Sequence, residues 1–234
     1  MDFALSDEYR MLADTVTRFV DRELMPLEPA VLAREAAGEP CALTDQETEA
    51  LNAKCRGLGL GGLDAPEETG GANLPALALV AVNEAVGRTI VPFTFPPDSP
   101  NLHMLLATAS PEQREKYLDP YARGETVSAI AISEPGAGAD PAGMRTRAVL
   151  DGDDWVINGR KIWISRARKA AFTIVMAVTD PEKGSRGGIS AFIVDQGTPG
   201  FEVTRDIPIV GGARTHEVVF EDCRLPQSQL LGEP

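Results

Sequence analysis

Ile132-Ser133-Glu134-Pro135-Gly136-Ala137-Gly138-Ala139-Asp140, followed by Asn158-Gly159-Arg160-Lys161-Ile162-Trp163-Ile164-Ser165, decides how this chain reads. The first segment leaves an apolar, strand-like run (Val127 to Ile132) through a proline and two glycines. That is the chemistry of a strand end, not of a helix start. Backbone N–H groups in such a turn are unobstructed, as an anionic group or a ring carbonyl needs. The second segment is a turn feeding a short strand. Ser133 and Ser165 add hydroxyls, and Trp163 adds a large flat surface. Taken singly, the first segment reads as an ordinary strand exit and Trp163 as a core aromatic. Occurring together and in this order, they read as a platform for a flat, anionic ligand.

Outward from these segments, the pattern changes period. Downstream, short β-branched-rich runs cover Val127–Ile132, Thr146–Leu150, Trp155–Ile157, Arg160–Ile164, Phe172–Val178, Ile189–Val194, Phe201–Arg205 and Glu217–Phe220. Turn residues separate them: Asp151-Gly152-Asp153, Asn158-Gly159, Gly187-Gly188 and Gly211-Gly212. Asn158-Gly159 between two apolar runs predicts a hairpin. Upstream, the spacing is helical. Ser6 caps a helix with Leu12, Val16, Phe19 and Val20 on one stripe, ended by Pro26 and Pro29. Thr44-Asp45-Gln46-Glu47 is a capping box opening a helix with Leu51, Cys55 and Leu58 inward. Leu74 to Val86 is apolar nearly all round and predicts a buried central helix ending at Gly87. Ser99-Pro100 and Ser110-Pro111 look like N-caps followed by proline, the second completed by Gln113. The expected fold is an all-α domain over residues 1–125, then an antiparallel β-barrel domain over residues 126–234.

Bulk properties exclude several functions. With 22 basic and 35 acidic residues the net charge is −13, which argues against non-specific nucleic-acid binding. Arg145, Arg147, Arg160, Lys161, Arg166, Arg168 and Lys169 form a local basic patch, or else a solvated strand edge. Cys41, Cys55 and Cys223 are widely spaced and odd in number, so a reduced, cytoplasmic setting fits. The start of the chain lacks a signal pattern, and no apolar run reaches membrane-spanning length. Two isolated histidines, His103 and His216, give little support to a metal site or a Ser/His triad. Gly57-Leu58-Gly59-Leu60-Gly61-Gly62 matches a dinucleotide fingerprint in letters only. A helix precedes it, so it reads as a helix C-cap and loop.

The two opening segments resemble the flavin-binding signature of the acyl-CoA dehydrogenases, and the resemblance runs the length of the chain. Leu5-Ser6-Asp7-Glu8 and Phe19 to Pro26 look like that family's first helix. Pro66-Glu67-Glu68-Thr69-Gly70-Gly71 after Leu58-Gly59-Leu60 is similar to its Pro-Glu…Gly-Gly loop. Glu112-Gln113 through Lys116-Tyr117-Leu118, then Gly124-Glu125, resembles the helix leading into the barrel. Phe220 to Pro226 and Leu230-Leu231-Gly232 resemble the barrel's exit.

The resemblance implies tightly bound FAD. Ile130, Ala131 and Ile132 would pass the isoalloxazine edge, with Ser133 at its polar rim. Trp163 and Ile164 would lie beside the ring, and Ser165 would bond N5. Gly138 and Ala139 would approach the phosphates, with Ala139 also facing the thioester substrate. The family usually has Ser or Thr where Ala139 stands, and one lost hydroxyl is worth only about 0.5–1.5 kcal/mol. It also implies dehydrogenation of an acyl-CoA substrate, electron-transfer flavoprotein as acceptor, and a homo- or hetero-oligomer. Family subunits continue into a helical domain that carries the glutamate base. None of Glu134, Glu217 or Glu221 matches that base, so no catalytic residue and no metal is assigned, and the chain alone is expected to be inactive. Two alternatives stay open. One is another flavoenzyme on this scaffold, a flavin monooxygenase or a nitroalkane oxidase-like protein. The other is a non-catalytic subunit completed by a partner chain.

Overall fold

The computed structural model describes residues 3–97, 99–209 and 214–232, and the side chains of Ser99 and Pro100 lie outside that description. The chain divides into two compact units, one built from residues 1–99 with 209–213, the other from residues 100–208 with 214–234.

The first unit is helical. Helix α1 (Asp7–Phe19) is capped by Ser6, whose side chain accepts from the Tyr9 N–H. The prolines do not end the helical path. A π turn (Val20–Leu24) and a 3-10 turn (Met25–Leu27) lead into α2 (Glu28–Ala36), with Pro26 and Pro29 in first-turn positions, where the missing N–H costs nothing. Helix α3 (Asp45–Leu58) opens on the Thr44–Glu47 capping box and stops at Gly59 in the left-handed conformation. Leu51 and Cys55 point inward as expected, whereas Leu58, in the last turn, is exposed. Helix α4 (Ala76–Val86) ends at Gly87 as expected, but it is not buried all round. Ala78, Val82 and Ala85 face the core, and Val80 on the opposite side is exposed. Phe19, Phe93 and Phe95 form a mutual aromatic cluster, which belongs to the unit's core with Val16, Leu24, Val31 and Leu51.

The second unit opens within α5 (Ser99–Thr108), followed by α6 (Pro111–Gln113), a π turn (Arg114–Leu118) and α7 (Asp119–Ala122). Ser110 and Gln113 form the expected capping box. The cap at Ser99-Pro100 and the Gly211-Gly212 turn lie outside the described residues.

Among the described residues eight strands follow: β1 (Ser128–Ala131), β2 (Arg147–Asp151), β3 (Asp154–Ser165), β4 (Phe172–Val178), β5 (Ile189–Asp195), β6 (Phe201–Pro208), β7 (Arg214–Pro226) and β8 (Leu230–Leu231). The order is β6-β7-β3-β2-β4-β5-β8, mostly antiparallel, with β1 beside β4. Among the described residues this path has two ends and no pairing closes it. Two departures from the expected strands position the site. Asn158-Gly159 is not a hairpin turn. Both residues lie inside β3, at an irregularity of its pairing with β7, and the hairpin turn is Asp151-Gly152-Asp153 instead. Second, β1 and β2 both run parallel to β4 along the same edge, Ala131 opposite Val175 and Arg147 opposite Val178. They are two halves of one interrupted strand, and residues 132–146 are the excursion between them.

Candidate functional site

The excursion begins where Ile132 and Ser133 leave β1. Glu134 and Ala137 close a tight turn on each other, Glu134 N–H to Ala137 O at 2.8 Å and Ala137 N–H to Glu134 O at 3.2 Å. Asp140 then caps a short 3-10 turn by accepting from the Ala142 N–H at 2.9 Å. Gly136 and Gly138 are not at positive φ, and a Cβ on either would meet nothing within 4 Å. Neither backbone shape nor internal packing therefore demands these glycines. Among the described residues the N–H groups of Gly136, Gly138 and Ala139 donate to no protein acceptor. Pro135, Gly136, Gly138 and Ala139 are all exposed.

Strand β3 meets the excursion at its start. The Ile162 N–H donates to Ser133 O at 2.9 Å. Beside that bond, Lys161 Nζ donates to Ile132 O and to Glu134 Oε1, each at 3.0 Å. Glu134 Oε1 also accepts from the Thr146 N–H at 2.9 Å, and Oε2 from the Arg145 N–H at 2.7 Å. This carboxylate holds both ends of the excursion. Its burial opposes ionisation, but the hydrogen bonds from Thr146, Arg145 and Lys161 outweigh that and hold its pKa below the usual range. Burial pushes the Lys161 ammonium down, and Glu134 opposes that shift.

Trp163 follows at φ +65°, left-handed backbone that a non-glycine residue rarely adopts, in the stretch where β3 shifts register against β7 between Lys161 and Ile164. The side chain is 55% exposed, which removes the reading as a core aromatic. Ile132 is also exposed, Ser165 is exposed, Ser133 and Ile130 are half-buried, and Ala131 and Ile164 are buried. The structure thus brings Ser133 and Trp163 to neighbouring backbone positions. Ala131 and Ile164 serve as core beneath them, so contact with a ligand through their side chains does not follow. Opposite Ser165 on β7 stands Thr215, whose buried hydroxyl has no partner among the described residues, and next to it His216 bonds Ile164 O at 2.9 Å.

The basic patch needs correction. Lys161 is fully buried in its pair with Glu134. Arg160 and Arg205 share Glu217, and Arg168 pairs with Asp206 at 2.5 Å. Arg145 and Arg147 are exposed. Counting Lys161 among surface cations missed its role. Its strand parity carried the signal, because Lys161 shares the inward alternation of Ile157. Glu134 and Glu217 are both committed to cations or amides.

Known proteins bear on this site. The family model "Acyl-CoA dehydrogenase, N-terminal domain" matches residues 6–125, and "Acyl-CoA dehydrogenase, middle domain" matches residues 129–223. The chain is 39% identical over 242 residues to (R)-benzylsuccinyl-CoA dehydrogenase of Thauera aromatica, covering 100% of this chain and 60% of that protein. It is 35% identical to the human mitochondrial short-chain specific acyl-CoA dehydrogenase, covering 98% of this chain and 54% of that one. Butyryl-CoA dehydrogenase from Megasphaera elsdenii superposes with a TM-score of 0.79 at 28% identity, over 100% of this chain and 60% of its own. The chain therefore spans little more than half the length of these relatives. Two domain models in the expected order, covering most of the sequence, place this chain in the acyl-CoA dehydrogenase family.

Proposed function

We propose that these residues form the flavin-binding part of an acyl-CoA dehydrogenase, acting in its complete assembly on an acyl-CoA thioester. The observation that carries this reading is the 2.9 Å bond from the Ile162 N–H to Ser133 O. It sets the exposed Trp163 beside the opening of a loop in which Gly136 and Gly138 are required by no contact among the described residues. The residues fit FAD. Trp163 and Ile132 offer apolar surface to a ring, Ser133 and Ser165 offer hydroxyls to its polar edge, and Ile130 backs that edge. The amides of Gly136, Gly138 and Ala139 suit a phosphate. FAD supplies the hydride acceptor when bound. The work of this chain is to bind and orient the ring through Trp163 and Ser165 and to keep Ser133 at its rim. Removal of the α-proton needs a carboxylate within hydrogen-bond reach, typically contributing about 10²–10⁴-fold. Glu134 and Glu217 are engaged elsewhere, so residues 1–234 alone are proposed to be inactive.

The same reading proposes an oligomer, electron-transfer flavoprotein as acceptor, and a reducing compartment such as the cytoplasm, the last supported by three buried free thiols. Acyl identity is open, and the Thauera relative makes aryl-substituted acyl-CoA esters the first to try. The test is direct. The purified complete assembly should be yellow, release FAD on denaturation and bleach anaerobically with an acyl-CoA. Oxygen-dependent turnover without bleaching would favour a flavin monooxygenase or nitroalkane oxidase-like activity. Colourless protein that cannot be reconstituted with FAD would favour a non-catalytic subunit.

A further inference from the structure

The Lys161–Glu134 pair is the one fully interior ion pair among the described residues, with side chains 0% and 5% exposed. Its connections are unusual for a core contact. It joins three separate pieces of backbone: the exit of β1 through Ile132 O, the entry of β2 through the Arg145 and Thr146 N–H groups, and β3 through Lys161 itself. Two residues beyond Lys161 the chain takes the left-handed conformation at Trp163. Such a conformation persists only where its surroundings over-determine it. A buried ion pair is in itself weak evidence of stability, since apolar residues of similar volume often hold a fold as well. An apolar pair would not engage the Ile132 carbonyl or the two amides.

We propose that the Lys161–Glu134 pair is the positioning device of the flavin platform: it fixes the strand exit at Ile132–Ser133 against β3 so that Ser133 and Trp163 keep one mutual geometry. The assignment rests on the FAD reading above for its consequence, but not for its geometry. Lys161 and Glu134 touch no ring and no reacting atom. They act through the groups that would.

The geometry and its consequence are tested separately, with Lys161→Met, Glu134→Gln and the double variant in the complete assembly. 5-Fluorotryptophan is incorporated, and the resonance of position 163 is assigned with Trp163→Phe. Lys161→Met alone strands a carboxylate and should melt early. The double variant removes both charges and should recover most of the Tm. If the pair positions the platform, three readouts stay altered in the double variant. The fluorine resonance of residue 163 shifts or broadens, the visible flavin band moves, and reduction by acyl-CoA slows about 10-fold or more. A double variant matching wild type in all three would overturn the proposal. Should that variant fail to fold, Glu134→Gln, which keeps the shape and part of the acceptor set, is read by the same signals, and unchanged signals would again overturn it. If the wild type cannot take up FAD, the function reading falls. The fluorine resonance then still decides, a changed signal supporting the positioning of Trp163 and an unchanged one ending it.

Discussion

Gly159 backs directly onto Thr146: a Cβ at position 159 would lie 2.4 Å from Thr146 Oγ1 and 2.6 Å from Thr146 Cα. Glycine is needed there because Thr146 approaches closely and because the backbone takes φ +155°, not because the chain makes a hairpin turn. Gly159→Ala should therefore cost about 1–3 kcal/mol of stability, the usual range for overpacking. Thr146→Ala should rescue it only in part, since the Thr146 Cα clash remains. Urea titration of the two single variants and the double variant checks both statements.

Trp163→Gly separates binding from folding. Left-handed backbone costs a non-glycine residue about 1–2 kcal/mol, whereas glycine in a strand costs about 0.5–1 kcal/mol. The exposed indole leaves little packing to lose. Cofactor-free protein should be as stable as wild type or slightly more so by thermal melting, while its affinity for FAD falls. A loss of several kcal/mol in the cofactor-free protein would mean that Trp163 is a packing residue.

Glu134 gives a pH signature. Its pKa is held below the ordinary 4.5 in the folded state. A carboxyl with a lowered folded pKa stabilises the protein fully above its unfolded value, and loses that contribution as pH falls through the folded one. The stability gap between wild type and Glu134→Gln should hold steady near neutrality and shrink below about pH 4.5. A gap that widens on acidification would contradict the assignment.

Glu47 joins three features of the first unit. Its carboxylate accepts from the Thr44 N–H at 2.7 Å and from Arg34 at 2.6 Å, and Arg34 in turn donates to Ala42 O at 2.7 Å. Burial opposes but does not outweigh the Arg34 and Thr44 bonds, which keep the Glu47 pKa low. Thr44→Ala removes only the cap, worth about 0.5–2 kcal/mol. Glu47→Ala removes the reciprocal cap and leaves Arg34 without its carboxylate, so it should be the more destabilising of the two in denaturant titrations.

The sequence was most legible where the physics is local. Ser6, Thr44–Glu47 and Ser110–Gln113 cap helices with the partners their spacing implies, because a cap is decided within four residues. The helical-then-sheet order was readable for the same reason. Misreadings arose where a distant strand decides. Asn158-Gly159 has a hairpin's composition, yet Thr146 and β7 hold it extended. Pro26 and Pro29 look like stops but serve as first-turn residues of the next helical segments. Leu74 to Val86 reads as buried all round because apolarity does not say how many faces find neighbours. Ser133 and Trp163 were singled out by motif, and the structure adds only that they stand at neighbouring backbone positions. Lys161 was misplaced because a charged side chain reads as surface until its partner across the fold is known.

The interruption between β1 and β2 also bears on how this scaffold can change over time. Val175 and Val178 on β4 grip the two flanks of the excursion at Ala131 and Arg147, only about 10 Å apart along the strand. Residues 132–146 therefore form a loop with clamped ends, and substitutions or length changes near its tip need not be transmitted to the sheet. Relatives could change the exposed tip, Ala139 included, while inheriting the strands of the sheet unchanged. The excursion is thus the natural place for selection, or for a protein engineer, to vary an exposed loop without renegotiating the fold.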